Sequence, residues 1–311
     1  MAGDTKERIL ETALELFAQN GYLGTSMNDI AGRLGFTKAA LYKHYTSKQE
    51  ILDRIVEHMN EMDYERAESY EMPETEPDGF VHLTTFMLDS DAVRKTAHEY
   101  NATVTEFLTA AMMQAILRLQ AEQVPFRRLR KPVKVLVPVN LRSLFPSKTM
   151  RNFALYVTPE IDPKLGEYSF AEICNNVHHR MGMEVTAKQM STKIATNVNS
   201  EKSPILKVMP LVVKNAAMKA VFDAVGECKS CLCMSNLGLV KLPEVMQQYV
   251  TRMDFIIGVP SRTAYNCALL SYGGTIYLNL VRSIIEPELE MHFYKVLREL
   301  GVHVKVESNE R

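Results

Sequence analysis

Residues 25–50, TSMNDIAGRLGFTKAALYKHYTSKQE, carry the pattern that decides the N-terminal fold. Ser26 is followed three residues later by Asp29, a spacing at which hydroxyl and carboxylate can cap one helix start. Ile30, Ala31 and Leu34 recur at helical spacing, and Gly35 stands where the chain must turn sharply. Thr37 can cap a second short helix, with Leu41 and Tyr45 on one face and Lys38 and Tyr42 on another. Ser47 and Glu50 give an S-x-x-E box that starts a third helix. Two short helices across a glycine-bearing turn are helix-turn-helix grammar, which presents an outward face to a major groove. Arg33, Lys38, Lys43 and Lys48 mark this stretch with no acid between them. Such a local stripe matters more for phosphate contact than net charge does. A solvated face on a small helical bundle is the competing reading.

Upstream, TKERILETALELFAQNGY (5–22) predicts a helix with the apolar face Ile9, Ala13, Leu16 and Phe17, and with Asp4 and Glu7 as a capping pair. Three patterns then coincide. They are A-x-x-L-F-x-x-x-G-Y at Ala13, Leu16, Phe17, Gly21 and Tyr22; T-S-x-x-x-I-A at Thr25, Ser26, Ile30 and Ala31; and L-Y-x-H-Y-x-S-K-x-x-x-L from Leu41 to Leu52. On these residues, 5–60 resembles the N-terminal domain of TetR/AcrR-type transcriptional regulators. The resemblance implies a repressor that binds a double-stranded DNA operator as a homodimer under a small-molecule effector. It implies roles residue by residue. Thr25 and Ser26 touch phosphate. Thr37, Lys38, Ala39 and Ala40 lead the recognition helix, Lys38 donating to guanine and the alanines allowing close approach to a thymine methyl. Tyr42, Lys43, His44 and Lys48 position the domain on the backbone. Leu41 reads as core, Tyr45 as core or contact, and His44 also as a solvent-exposed helix residue.

At 311 residues the chain suggests two units, on a prior of roughly 100–200 residues each. The expected division is a helix-turn-helix domain at 3–63, a helix end and acidic proline-containing linker at 64–80, and an α+β domain at 81–311. Residues 61–79 hold eight acids and one arginine, and Pro73 and Pro77 discourage any continuing helix. No run approaches a membrane span and the start MAGDTKER is polar, so a cytoplasmic protein without membrane contact is expected. Cys228, Cys231 and Cys233 have a metal-like spacing, but CLCMSN alternates like a buried strand and no second ligand pair lies nearby. Small buried hydrophobes are the expected reading, with no metal and no cofactor.

Beyond residue 80 the grammar turns mixed. Strands are predicted at 81–89, 133–140, 153–161, 231–236, 254–259, 266–272, 275–281 and 302–307, the pair around Gly273-Gly274 forming a tight hairpin. Helices are predicted at 90–100, 105–122, 168–190, 204–225 and 286–300, with Pro210 bending or splitting the fourth. The fold class is an all-α helix-turn-helix domain followed by an α+β domain with a mostly antiparallel sheet.

TVTEFLTAAM (103–112), VPVNLRSLFPSKTMRNF (137–153), SNLG (235–238) and SYGGTIYLNLVRS (271–283) carry a second resemblance. With them, 81–309 is similar to the C-terminal half of the chloramphenicol-acetyltransferase-like fold, in the branch of alcohol acetyltransferases and condensation-type enzymes. Such enzymes take their catalytic base from an H-H-x-x-x-D-G motif in their other half. Here the single His-His pair, His178-His179, is followed by Met183 and Glu184 where the motif has Asp and Gly, and it falls in a helical stretch. No orienting partner for a general base is indicated, so no catalytic residue is assigned and the chain is read as a non-enzyme. Asn140, Arg142, Ser235 and Asn236 match the retained half, where the resemblance gives them a site-shaping role. The alternative is an acyl-CoA-dependent O-acyltransferase-like protein lacking its base, or a gene fusion.

Overall fold

A computed structural model describes residues 5–55 (except 7, 11, 14, 15, 18–21 and 23), 79–201, 230–259 and 263–309. The chain divides into two compact units, Met1–Ala67 and Glu68–Arg311. The expected linker at 64–80 and helix at 204–225 lie almost wholly or wholly outside the described residues.

In the first unit, helical residues between 5 and 17 precede α1 (Met27–Leu34) and α2 (Lys38–Tyr42), and helical residues 48–55 follow. α1 begins with the expected box: Ser26 N and Oγ both donate to Asp29 Oδ2 at 2.7 Å, and Asp29 N returns a bond to Ser26 Oγ at 3.3 Å. Gly35 ends it at φ 70°, a left-handed conformation that glycine adopts without a Cβ penalty. Ile9, Ala13, Leu16, Met27, Ile30, Ala31, Leu41, Tyr45, Ile51 and Ile55 form one buried core. Of the two readings of Tyr45, core and contact, the structure supports core. The second capping box is shifted: Glu50 N donates to Ser47 Oγ, but the Glu50 carboxylate accepts from Thr46 N and Oγ1 at 2.6 Å, not from Ser47 N. A hydroxyl one residue earlier gives that carboxylate two donors at once.

In the second unit the described strands form one mixed sheet. They are β1 (His82–Asp89), β2 (Val133–Asn140), β3 (Ala154–Val157), β4 (Glu160–Ile161), β5 (Leu232–Leu239), β6 (Tyr265–Tyr272), β7 (Thr275–Arg282) and β8 (Val304–Ser308). The order is β3-β2-β5-β6-β7-β1-β8, with β4 also on β2; β2-β5 and β5-β6 are parallel and the other pairs antiparallel. The expected strand at 153–161 is divided at Pro159, which has no N–H for the ladder, so β3 and β4 meet separate parts of β2.

The helices are α3 (Ser90–Glu99), α4 (Val104–Gln123), α5 (Phe170–Glu184), α6 (Ala187–Glu201), the single turn α7 (Glu244–Gln247) and α8 (Glu288–Glu299). α4 is apolar nearly all round, as a helix inside a core must be. It packs on β2 and shares one core with Tyr265, Cys267 and Leu269 of β6 and Ile276, Leu278 and Leu280 of β7. α8 lies beside it, tied by a bidentate Arg118–Glu299 pair at 2.6 and 2.9 Å. The helix expected over 168–190 is broken at Val185–Thr186, because Thr186 Oγ1 accepts from Gln189 N and starts α6.

Residues 254–259 are not a strand. They belong to a strap, 240–259, laid over the opposite face of the sheet, where Val240, Leu242, Val250, Met253 and Phe255 pack on Leu270, Tyr272 and Tyr277. Its carbonyls are satisfied by side chains rather than by a neighbouring strand: Asn279 Nδ2 donates to Phe255 O at 3.1 Å and Asn266 Nδ2 to Gly258 O at 2.6 Å. An apolar run fits that position as well as it fits a ladder.

Candidate functional site

One solvent-exposed surface of the first unit is made by α2 and its flanks. Thr37 Oγ1 accepts from Ala40 N at 3.3 Å and fixes the helix start, leaving Thr37, Lys38 and Ala39 exposed and Ala40 half-buried. Leu41 is fully buried and anchors the helix from beneath. Lys38 Nζ lies 5.8 Å from the centroid of the exposed Tyr42 ring, the pairing implied by their four-residue spacing. Arg33 and Lys43 are exposed and neither side chain makes a polar contact among the described residues. His44 is half-buried. This surface holds three cations and an aromatic ring with no acid between them.

Three residues expected at phosphate have other engagements. Thr25 is 2% exposed and its hydroxyl donates to Leu16 O at 3.1 Å, so its side chain belongs to the interior. Ser26 is exposed, but its hydroxyl is held by Asp29, whose carboxyl those bonds keep below its ordinary value. Lys48 Nζ donates to Tyr22 O at 2.6 Å and Thr25 O at 2.7 Å and sits 4.2 Å from the centroid of the Tyr22 ring. It clamps the turn before α1 to the helix at 48–55, with two of its three donors engaged.

The second unit has a cleft of about 390 Å³ where the start of α4, the end of β2, β5 and the last turn of α5 converge. Its polar lining is Thr103, Thr105, Glu106, Asn140, Ser143 and Asn236. Asn236 Nδ2 donates to Thr105 Oγ1 at 2.9 Å while Asn236 Oδ1 accepts from Gly238 N at 2.8 Å. Asn140 Oδ1 accepts from Arg142 N at 3.1 Å, and Arg142 Nη2 reaches Thr149 O and Arg151 O, shaping the loop beside the cleft. Ser235 is half-buried and does not line it.

His178 and His179 lie within α5, and both are exposed. His178 Nδ1 stands 3.2 Å from the buried Glu106 Oε2, which also accepts from Thr103 N at 2.8 Å. This carboxylate partner lies 72 residues away and has no local sequence signature. His179 makes no hydrogen bond among the described residues. Cys231 is buried and Cys233 half-buried, burial pushing the Cys233 thiol up to about 11, while Cys228 lies outside the described residues. A thiol kept protonated in this way packs as a small hydrophobe.

Residues 9–55 match the family model for bacterial regulatory proteins of the tetR family. The N-terminal unit is a tetR-type helix-turn-helix domain. Among curated relatives, the biofilm operon icaADBC HTH-type negative transcriptional regulator IcaR of Staphylococcus epidermidis is 42% identical over 52 residues, 17% of this chain and 28% of the relative. Its Staphylococcus aureus counterpart is 41% identical over 51 residues, 16% of this chain and 27% of the relative. The chain thus matches little more than a quarter of these regulators, over the N-terminal domain. At the level of fold, the TRI3 trichothecene 15-O-acetyltransferase of Fusarium sporotrichioides superposes with a TM-score of 0.51 at 12% identity, over 80% of this chain and 51% of that one. The nonribosomal peptide synthetase FmoA3 gives 0.50 at 13%, over 77% of this chain and 24% of that one. The α+β unit is acyltransferase-like in fold, and the chain spans about half the acetyltransferase. Among the described residues no helix is long and apolar enough to cross a membrane.

Proposed function

We propose that this protein is a sequence-specific DNA-binding transcriptional regulator acting as a repressor, whose acyltransferase-like unit serves as a sensing or association module. The observation that carries the reading is the solvent-facing surface of Thr37, Lys38, Ala39, Tyr42 and Lys43 on a helix anchored by the buried Leu41. In this reading Lys38 meets a base edge, Ala39 and Ala40 admit close approach, and Tyr42, Lys43 and His44 contact phosphate. Thr25 and Lys48 hold the domain in shape, and Ser26 stands at its edge. The negative regulator named among the relatives supports repression.

For the second unit, the cleft beside Glu106, Asn140 and Asn236 supports an effector site, since it combines convergent polar groups with the apolar walls of Val137, Val139 and Val185. The protein works as a homodimer in the cytoplasm, each copy reading one half of a symmetric operator. The test is nuclease protection on DNA flanking its gene. A protected, two-fold symmetric segment is the expected result, and uniform protection of all duplexes would reject sequence-specific regulation.

A further inference from the structure

The strap of 240–259 has two sides of different character. Its inner side is packed on the sheet and bolted down: Tyr272 Oη donates to Val250 O at 2.8 Å, and Arg252 joins Asp254 and Glu307 at 2.6 Å each while stacking on Tyr277. Along the strap and the end of β5 that leads into it, Leu237, Leu239, Val245, Met246, Tyr249 and Ile256 are between 50% and 79% exposed. Six such side chains, at roughly 100 Å² each, present on the order of 600 Å², the upper limit for the largest apolar patch of a typical monomer. That is most of the roughly 800 Å² per partner that a standard protein interface buries. The hydrogen bonds beneath it make this a fixed surface rather than a frayed loop, so little ordering cost opposes its burial.

We propose that this strap is the surface through which two copies of the chain associate. An interface across a two-fold axis must be complementary to itself. The strap meets that condition: Lys241 and Glu244, exposed and opposite in sign, stand between Leu239 and Val245, and neither is paired among the described residues. In the dimer Lys241 of one copy faces Glu244 of the other, while Val245 and Tyr249 meet near the axis. The proposal rests on the homodimer reading above and assigns it a place.

The test is sedimentation of the full chain, wild type against the double substitution Val245→Asp/Tyr249→Asp, with circular dichroism as the fold check. The expected result is a wild-type dimer whose dissociation constant rises at least a hundredfold on substitution, with the circular dichroism spectrum of the folded chain unchanged and melting lowered only by the lost association. As a second measurement, Lys241→Glu and Glu244→Lys should each weaken association about tenfold, and the two together should restore it. A wild-type monomer at high concentration, or a dimer indifferent to both sets of changes, overturns the proposal. So does a monomer in which Tyr249→Cys resists a thiol reagent, since another part of the chain would then cover the patch. A protein that dimerises through these residues yet ignores duplex DNA supports the surface and sinks the regulatory reading, so the two fail separately.

Discussion

Lys38 and Lys48 carry the same charge ten residues apart, but the fold gives them different tasks. Among the described residues Lys38 lies over the face of Tyr42 and is exposed, whereas Lys48 is fixed to two backbone carbonyls. Lys38→Ala should leave melting unchanged and weaken specific DNA binding by roughly 1–3 kcal/mol, relaxing preference at one base position. Competition against a panel of single-base operator variants would detect this, and uniform loss on every duplex would contradict a base contact. Lys48→Ala should instead lower the melting temperature of the first unit, because two charge-assisted bonds worth roughly 1.5–3 kcal/mol each are lost. Unchanged melting with a shallower salt dependence would return Lys48 to the phosphate backbone. Asp29 adds a pH signature. Its folded value is depressed by the Ser26 cap, so its contribution is present above the ordinary value of 3.8 and is lost as pH falls through the lower folded value. Helix content followed by circular dichroism on acidification should fall later in wild type than in Ser26→Ala, and coincident curves would count against the box.

At the scale of elements, the β6-β7 hairpin turns on Gly273 and Gly274, both at positive φ (58° and 83°). A side chain there is disfavoured by its own backbone, roughly 1–2 kcal/mol per residue. Gly273→Val/Gly274→Val should therefore lower stability by about 2–4 kcal/mol in denaturant titration, and an unchanged midpoint would refute that turn geometry. The hairpin was legible because glycine pairs between alternating runs have one dominant meaning. So was α1, announced by a hydroxyl with a carboxylate three residues on, whereas the matching box of α4 at Thr103 and Glu106 was not read from the sequence. The failures share a cause. The apolar pattern of 254–259 states that one side is buried but not what satisfies its backbone, and here Asn266 and Asn279 do so from the sheet. The break at Thr186 carried a weak cap signal inside a longer helical rhythm. In the candidate site, exposed α2 residues followed from spacing alone. The engagements of Thr25 and Lys48, and the meeting of His178 with Glu106, join residues 9 to 72 positions apart and have no local signature.

For the molecule as a whole, two units with separate cores share one chain, and the second spends a buried charge pair on its own architecture. Arg282, fully buried, donates to Glu290 Oε1 at 2.6 Å and to Ile284 O and Ile285 O, while Tyr265 Oη bonds the other Glu290 oxygen. Burial and the neighbouring carboxylate push the Tyr265 phenol up, so it remains a neutral donor in this network. The network holds the end of β7 to α8 within the second unit, and its loss should be felt in that unit. Removing one member strands a charge in the interior, at a cost of about 3–5 kcal/mol. Glu290→Ala should therefore lower the melting transition of the α+β unit while a separately monitored N-terminal unit, followed through duplex binding at low temperature, keeps its affinity for a single half-site. If affinity for a two-half-site fragment falls in step with loss of the α+β fold, that unit supplies the association that a symmetric operator requires. If both fragments are bound equally well before and after the substitution, the α+β unit contributes nothing to operator recognition.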